Sequence, residues 1–326
     1  MKTGIERILI IKPSSLGDII HGLMVAEAIQ AQLPDVRIDW VVRSEFAPLV
    51  EAAACVQSVH LFERKGGVGG FLKLIRSIRS QHYDVVLDMQ GLARSGLMTM
   101  AARAGEKIGR ADAREGAGLF YSKRIQAPGA EAVHAVEILS QFLPAIGLDA
   151  TAVGGQLRFD FPAGALSPAS EHAKGAVLVF PESRREEKEW PQFPGFLKMV
   201  AAKHHDRQFI WCGSDRSADA CPAGPNVRNV AGRTSLLDIV ALIQDAAGVV
   251  ANDSGPVHIA AAVGTPVLGL FGPTPPELYG PYPLDKPGHR TLRSEDHTMA
   301  SIELEAVVRA FEALIEKSGG RALPLT

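Results

Sequence analysis

The chain has 326 residues, 46% of them hydrophobic and 21% charged, with a formal net charge of −2. This is globular composition with no global signal for binding polyanions, nucleic acid included. Three cysteines, Cys55, Cys212 and Cys221, without a CxxC exclude a disulfide framework and a cysteine zinc site, and no apolar stretch nears the about 20 residues that cross a bilayer.

The apolar run before Lys12 is too short for a signal peptide, so a cytoplasmic location is expected. In chain order, β-branched apolar runs predict strands at 8–11, 36–42, 56–62 and 85–88. Helical periodicity falls at 19–32, 46–54, 71–81 and 134–143. Residues 147–170 are rich in Gly, Pro, Ala and Ser, and read as a connection. The second half repeats the rhythm, with strands at 176–180, 209–212, 227–230, 248–251 and 267–270. Its helices fall at 196–202, 236–244 and 257–263, followed by an amphipathic helix at 302–317.

Strands alternating with helices predict an α/β fold with parallel sheets covered on both faces. The division expected is 1–155, a linker at 156–172, and 173–326, with the terminal helix packing back on the first domain. Two α/β domains of similar length predict a cleft, with ligands at the carboxyl ends of the strands. Charge is uneven. Residues 64–124 hold twelve basic and five acidic side chains, a net +7 in a slightly acidic chain. That segment reads either as a surface for an anionic ligand or membrane, or as separate solvated helix faces.

Three stretches carry chemistry, each just after a predicted strand. The first is KPSSLGDIIH, from Lys12 to His21. Gly17 permits a tight or left-handed turn, Asp18 falls near a helix N-terminus, and His21 shares its face three residues on. Asp18 reads as an N-cap or as a general base. The dinucleotide fingerprint GxGxxG is absent. The second stretch runs from Phe180 to Pro191. There Lys188 offers a compact ammonium to a leaving diphosphate, or else the stretch is a charged loop with Trp190 and Pro191 anchoring the next helix. In the third, Ser254 and Gly255 would present backbone N–H groups at a helix N-terminus, with Pro256 in the first turn and Asp253 and His258 flanking. The stretch 264–274, a further strand followed by a Gly/Pro loop, comes next and could line the same cleft. No His/Cys/Asp cluster has metal-ligand spacing.

Together and in this order, the three stretches resemble glycosyltransferase family 9, the ADP-heptose:lipopolysaccharide heptosyltransferases. Within it, Ser14, Ser15, Gly17, Asp18 and His21, the strand 38–42, Asp88 to Leu92, Ala113 to Glu115 before Leu119 to Tyr121, and His134 to Glu137 are most similar to the heptosyltransferase I branch. The resemblance implies two Rossmann-like domains facing across a cleft (GT-B), an inverting transfer, ADP-heptose as donor, a Kdo-lipid A acceptor, and no metal or other cofactor. It implies peripheral attachment at the cytoplasmic face of the inner membrane. It makes Asp18 the catalytic base and assigns Ser183, Lys188, Asp253, Ser254, Gly255 and His258 to the donor. Ser15, Gly17, His21, Arg64 and Arg114 go to the acceptor. Residues 213–219 lack the run of glutamates associated with ribose binding, for which Asp215 and Asp219 are the stand-ins, and Thr234 stands in a form general to the family. Another family 9 transferase, a nucleotide-sugar epimerase of the same fold and a non-catalytic anion-binding module remain as alternatives.

Overall fold

The computed structural model describes residues 4–129, 132–170 and 174–318. They form two compact units that divide between Asp160 and Phe161.

In the first unit the elements run β1 (Arg7–Ile11), α1 (Leu16–Gln32), β2 (Arg37–Arg43), α2 (Ala47–Glu51), β3 (Ser58–Phe62) and α3 (Gly67–Arg79). Then come β4 (His82–Asp88), α4 (Ala93–Ala101), β5 (Arg103–Arg110), β6 (Lys123–Ile125), α5 (Ala135–Ser140) and α6 (Phe142–Ala145). All pairings are parallel, in the order β3-β2-β1-β4-β5-β6. The central strands are continuous apolar runs because helices cover both faces of the sheet. Ile8 to Ile11 of β1 are fully buried. Helix α1 is buried from Ile19 through Ala26, without a polar stripe on that stretch. It lies close to the sheet because Gly22 has no Cβ; one built there would meet the Trp40 ring at 2.9 Å.

The second unit runs β7 (Val177–Phe180), α7 (Phe193–Lys203), β8 (Phe209–Trp211), β9 (Val227–Asn229), α8 (Leu236–Asp245) and β10 (Gly248–Asn252). It continues with α9 (Gly255–Val263), β11 (Val267–Phe271), α10 (Pro276–Tyr279), β12 (His289–Arg293) and α11 (Leu304–Ser318). Its six parallel strands are ordered β12-β11-β10-β7-β8-β9. Numbered from its own first strand, this is the same order as in the first unit. Each unit is therefore a doubly wound Rossmann-like sheet. In each, the strand order reverses between the first strand and the fourth, β1/β4 and β7/β10.

Several expectations are corrected here. The helix at 46–54 is one short turn, Ala47–Glu51, after a 3-10 turn at Ser44–Phe46. The helix at 134–143 is two pieces, with His134 as N-cap of the first. Helix α3 begins at Gly67, four residues earlier than its apolar pattern. Strands β5, β6 and β12 and helices α4 and α10 carried no clear pattern: β5 reads RAGEKIGR, polar along most of its length. The terminal helix is built into the second unit. Val307, Phe311, Leu314 and Ile315 are in the second unit's core with Phe196, Phe209 and Leu268. The expected linker is anchored at both ends. Phe159 bridges to Ala53 and the Asp160 amide bonds Ala52, while the Ser167 amide bonds Asp238 at 2.7 Å. Positions 171–173, spanning the end of that linker and the expected start of the second domain, lie outside the described residues.

Candidate active site

Ligands of doubly wound sheets bind outside the carboxyl ends of strands, where the order reverses. In the first unit that place is occupied by the stretches after β1 and β4. Ser15, not Asp18, is the N-cap of α1. Asp18 is the third helical residue and closes a capping box with it. Asp18 Oδ2 accepts the Ser15 amide at 3.0 Å and the Ser15 hydroxyl at 2.7 Å. Gly17 is an ordinary helical residue in the first turn; no left-handed turn forms there. Asp18 Oδ1 faces Lys12 Nζ at 3.4 Å, with the lysine side chain 4% exposed and the aspartate side chain 46%. Partial desolvation works against the Asp18 charge, but the Lys12 ammonium, the Ser15 bonds and His21 outweigh it and hold the carboxyl at about 2. For Lys12 the balance runs the other way: burial depresses the ammonium more than Asp18 restores it.

His21 is itself buried, its ring against His134 with centroids 5.7 Å apart, so it acts on the site through Asp18. From β4, fully buried Asp88 accepts the Gln90 and Gly91 amides at 2.9 and 3.0 Å and the Tyr121 hydroxyl at 2.8 Å. Burial raises the pKa of both Asp88 and Tyr121. Gly91, at φ +70°, turns the chain so that its carbonyl receives the Arg114 amide at 2.9 Å. Arg114 is exposed on this loop. Arg110, at the end of β5, is held by Asp112 through bonds of 2.8 and 2.6 Å, and its charge acts on Lys12.

Arg64 is elsewhere. It follows β3 and lines an open concavity of about 680 Å³ with Arg43, Glu45, Phe62 and Lys65. Arg64 follows the edge strand β3, whereas Arg114 is in the loop after β5 and against Gly91 after β4, with β2 and β1 between those places. The basic residues of the +7 segment are distributed over the loop after β3, α3, α4, β5, the loop after β5, and β6.

In the second unit, the corresponding switch point brings the two other stretches together. Lys188 Nζ donates to Asp253 Oδ2 at 2.6 Å, and both side chains are largely buried, at 15% and 7% exposed. Ser183 Oγ reaches the Asp253 carbonyl at 3.4 Å. Ser254 is the N-cap of α9, its hydroxyl turned onto the Asn252 carbonyl at 3.1 Å, and Gly255 and Pro256 open the helix. The first amides of this helix point outward with its positive dipole end. His258 lies one turn further along. Asn252 and Trp190 bind the two stretches to each other. The fully buried Asn252 side chain accepts the Trp190 amide at 3.0 Å and donates to the Pro181 carbonyl at 2.7 Å. The Trp190 indole donates to the Ile302 carbonyl at 2.9 Å.

Beside Lys188, Glu189 pairs with Arg216 at 2.5 Å, and Glu182 accepts the Ser214 and Ser217 amides. Asp215 packs against Gly232, next to the turn that holds Thr234, and Asp219 lies in the same 3-10 turn as Asp215. Sequence reasoning missed Lys12, Arg110, Asp88, Asn252 and Glu182. Lys12, Asp88 and Asn252 carried a signal, as polar residues directly after or ending an apolar strand. Among the described residues, no group of three or more His, Cys, Asp or Glu is arranged to hold a metal ion.

The family model of glycosyltransferase family 9 (heptosyltransferase) matches residues 71–302. The chain is 27% identical over 290 residues to the lipopolysaccharide core heptosyltransferase OpsX of Haemophilus influenzae, covering 85% of this chain and 82% of that one. It is 30% identical over 295 residues to lipopolysaccharide heptosyltransferase 1 of Pseudomonas aeruginosa, covering 85% and 81%. Among solved structures, Escherichia coli heptosyltransferase WaaC with ADP superposes at a TM-score of 0.79, with 24% identity over 94% of this chain and 99% of that one. The same protein with ADP-2-deoxy-2-fluoro heptose gives a TM-score of 0.76 at 23% identity, over the same shares of the two chains. The two doubly wound units thus carry, each at its own switch point, a carboxylate in one and a lysine with a helix N-terminus in the other. The chain belongs to glycosyltransferase family 9 (heptosyltransferase). It is an enzyme of that family, similar to lipopolysaccharide heptosyltransferase 1.

Proposed function

We propose that this enzyme transfers heptose from ADP-heptose to the Kdo region of the lipopolysaccharide inner core, with inversion and without a metal. The observation that carries the reading is the occupation of both switch points: Asp18 after β1, and Lys188 with the start of α9 after β7 and β10. The relatives' names and the ADP-bound likeness of WaaC support the donor and the lipopolysaccharide core.

In the proposed reaction the acceptor oxygen forms a bond to the anomeric carbon as its proton passes to ionised Asp18. The bond from that carbon to the diphosphate breaks on the opposite side, and ADP leaves. Lys188 and the amides opening α9 take up the charge left on the diphosphate. Asp253 holds the Lys188 ammonium in place beforehand, so little reorganisation is left for the transfer step. Ser183, Ser254, Gly255 and His258 complete the donor side, and Ser15, Gly17, His21 and Arg114 the acceptor side, while Arg64, set apart after β3, is left out of it. Arginine suits acceptor carboxylates and phosphates through paired hydrogen bonds.

No helix among the described residues is long and apolar enough to cross a membrane. We place the enzyme at the cytoplasmic face of the inner membrane, held peripherally. Helix α3 supports this: it exposes Val68 and Leu72 beside Lys73 and Arg76 and contains no carboxylate.

Incubation with ADP-heptose and Kdo-lipid A, read by mass spectrometry, tests the proposal. The expected product is the acceptor plus one heptose, with ADP released in equal amount. Donor consumption without any heptosylated acceptor would overturn it.

A further inference from the structure

We infer that Lys12 is the positioning residue of the first unit's site: its buried ammonium holds the Asp18 carboxylate ionised and in one orientation. The inference rests on reading Asp18 as the base. Lys12 directly follows β1, and its carbonyl receives the buried Trp40 indole at 3.1 Å, which fixes its backbone. Its side chain is 4% exposed and ends 3.4 Å from Asp18 Oδ1.

The capping box is complete without it, since Ser15 engages only Oδ2. Burying an ammonium is costly unless a partner offsets it, and here the partner is the Asp18 carboxylate. What Lys12 does supply is a cation on the oxygen that Ser15 leaves open. At 3.4 Å that oxygen keeps a lone pair for an incoming hydroxyl.

The other charged and titratable groups acting here come from every neighbouring element. His21 lies on α1 with His134 against it, Arg110 on β5 is committed to Asp112, and Asp88 on β4 is saturated by amides and the Tyr121 hydroxyl. Arg110 repels Lys12 and Asp88 attracts it. Asp18 and Lys12 are thus each other's closest charge partner in this group.

The test is Lys12→Met, close in length and without charge, with Lys12→Arg as the conservative variant. The Asp18 carboxyl is titrated by carbon NMR, and kcat/KM is followed against pH. In Lys12→Met the carboxyl midpoint should climb by about 1–3 pH units, the usual effect of losing an adjacent opposite charge. An acid limb should then enter the rate profile, while Lys12→Arg keeps the wild-type midpoint. An unmoved midpoint in Lys12→Met overturns the inference. A raised midpoint with an unchanged rate profile supports it and instead removes Asp18 as the base, which separates the two readings. Should Lys12→Met fail to fold, the reciprocal measurement decides: the Lys12 side chain, titrated in wild type and in Asp18→Asn, should lose its proton at lower pH in the variant. An identical lysine titration in both proteins overturns the inference.

Discussion

Asp18 does two jobs at one position. It closes the cap of α1 through Oδ2 and presents Oδ1 beside Lys12. Asp18→Asn keeps a capping side chain but removes the proton acceptor, so turnover should fall by about two to four orders of magnitude with donor affinity preserved. Single-turnover assays with donor-binding titrations check this; near-normal turnover would reduce Asp18 to a cap. The same residue makes a prediction about acid stability. Its carboxyl lies at about 2 in the fold against an ordinary 3.8, so the ionised form stabilises the native state. That contribution is complete above the ordinary value and is lost as pH falls through about 2. The Tm gap between wild type and Asp18→Asn should therefore narrow as the pH is lowered across that window. Arg114 is exposed on the loop that Gly91 receives, on the same switch-point side of the sheet as Asp18. Arg114→Ala should raise the acceptor KM and leave donor affinity unchanged in steady-state kinetics with each substrate varied in turn. A donor effect would remove Arg114 from the acceptor side.

At the scale of elements, what matters is how a charged loop becomes a rigid platform. The stretch after β7 has no long helix until Phe193, yet Lys188 is held within it. Asn252 at the end of β10 does this by bonding both Pro181 and Trp190 across the sheet edge. Asn252→Ala leaves a buried amide and a buried carbonyl without partners, each costing about 1–3 kcal/mol. The expected outcome is a Tm lowered by several degrees together with weaker nucleoside diphosphate binding. Calorimetry and equilibrium binding measure the two effects separately. Unchanged binding in a destabilised Asn252→Ala would show that the platform does not position Lys188.

At the scale of the whole molecule, the same strand order occurs twice, and each copy places its polar stretches at its own reversal point. The polar groups are divided accordingly: a carboxylate with its lysine in one unit, a lysine with its carboxylate and a helix N-terminus in the other. A ligand that binds only the native state raises Tm in proportion to its affinity, so ADP should raise Tm more than GDP at equal concentration. A larger shift with GDP would reassign the nucleotide. Lys188 and the α9 amides are proposed to meet the diphosphate charge unaided, so EDTA should leave turnover intact. Loss of activity in EDTA, restored by magnesium, would overturn the metal-free reading.

The alternation of β-branched runs with helical periodicity determined the class of fold and the central strands β1, β4, β7, β10 and β11, because strands buried on both faces must be apolar throughout. The polar stretches after those strands were legible by position: each directly follows an apolar strand, with Asp253 interrupting an otherwise apolar pattern and Lys188 standing in a charged run. Strands that are polar or short leave no such mark: β5, polar along most of its length, and the edge strands β6 and β12 were silent, and with β5 the position of Arg110. Only the tertiary structure decided which distant residues meet. Strand order joins Lys188 to Asp253 and separates Arg64 from Arg114, although both belong to one basic segment. It also built the terminal helix into the second unit's core, since an amphipathic stripe shows that a helix must be covered but not which surface will cover it.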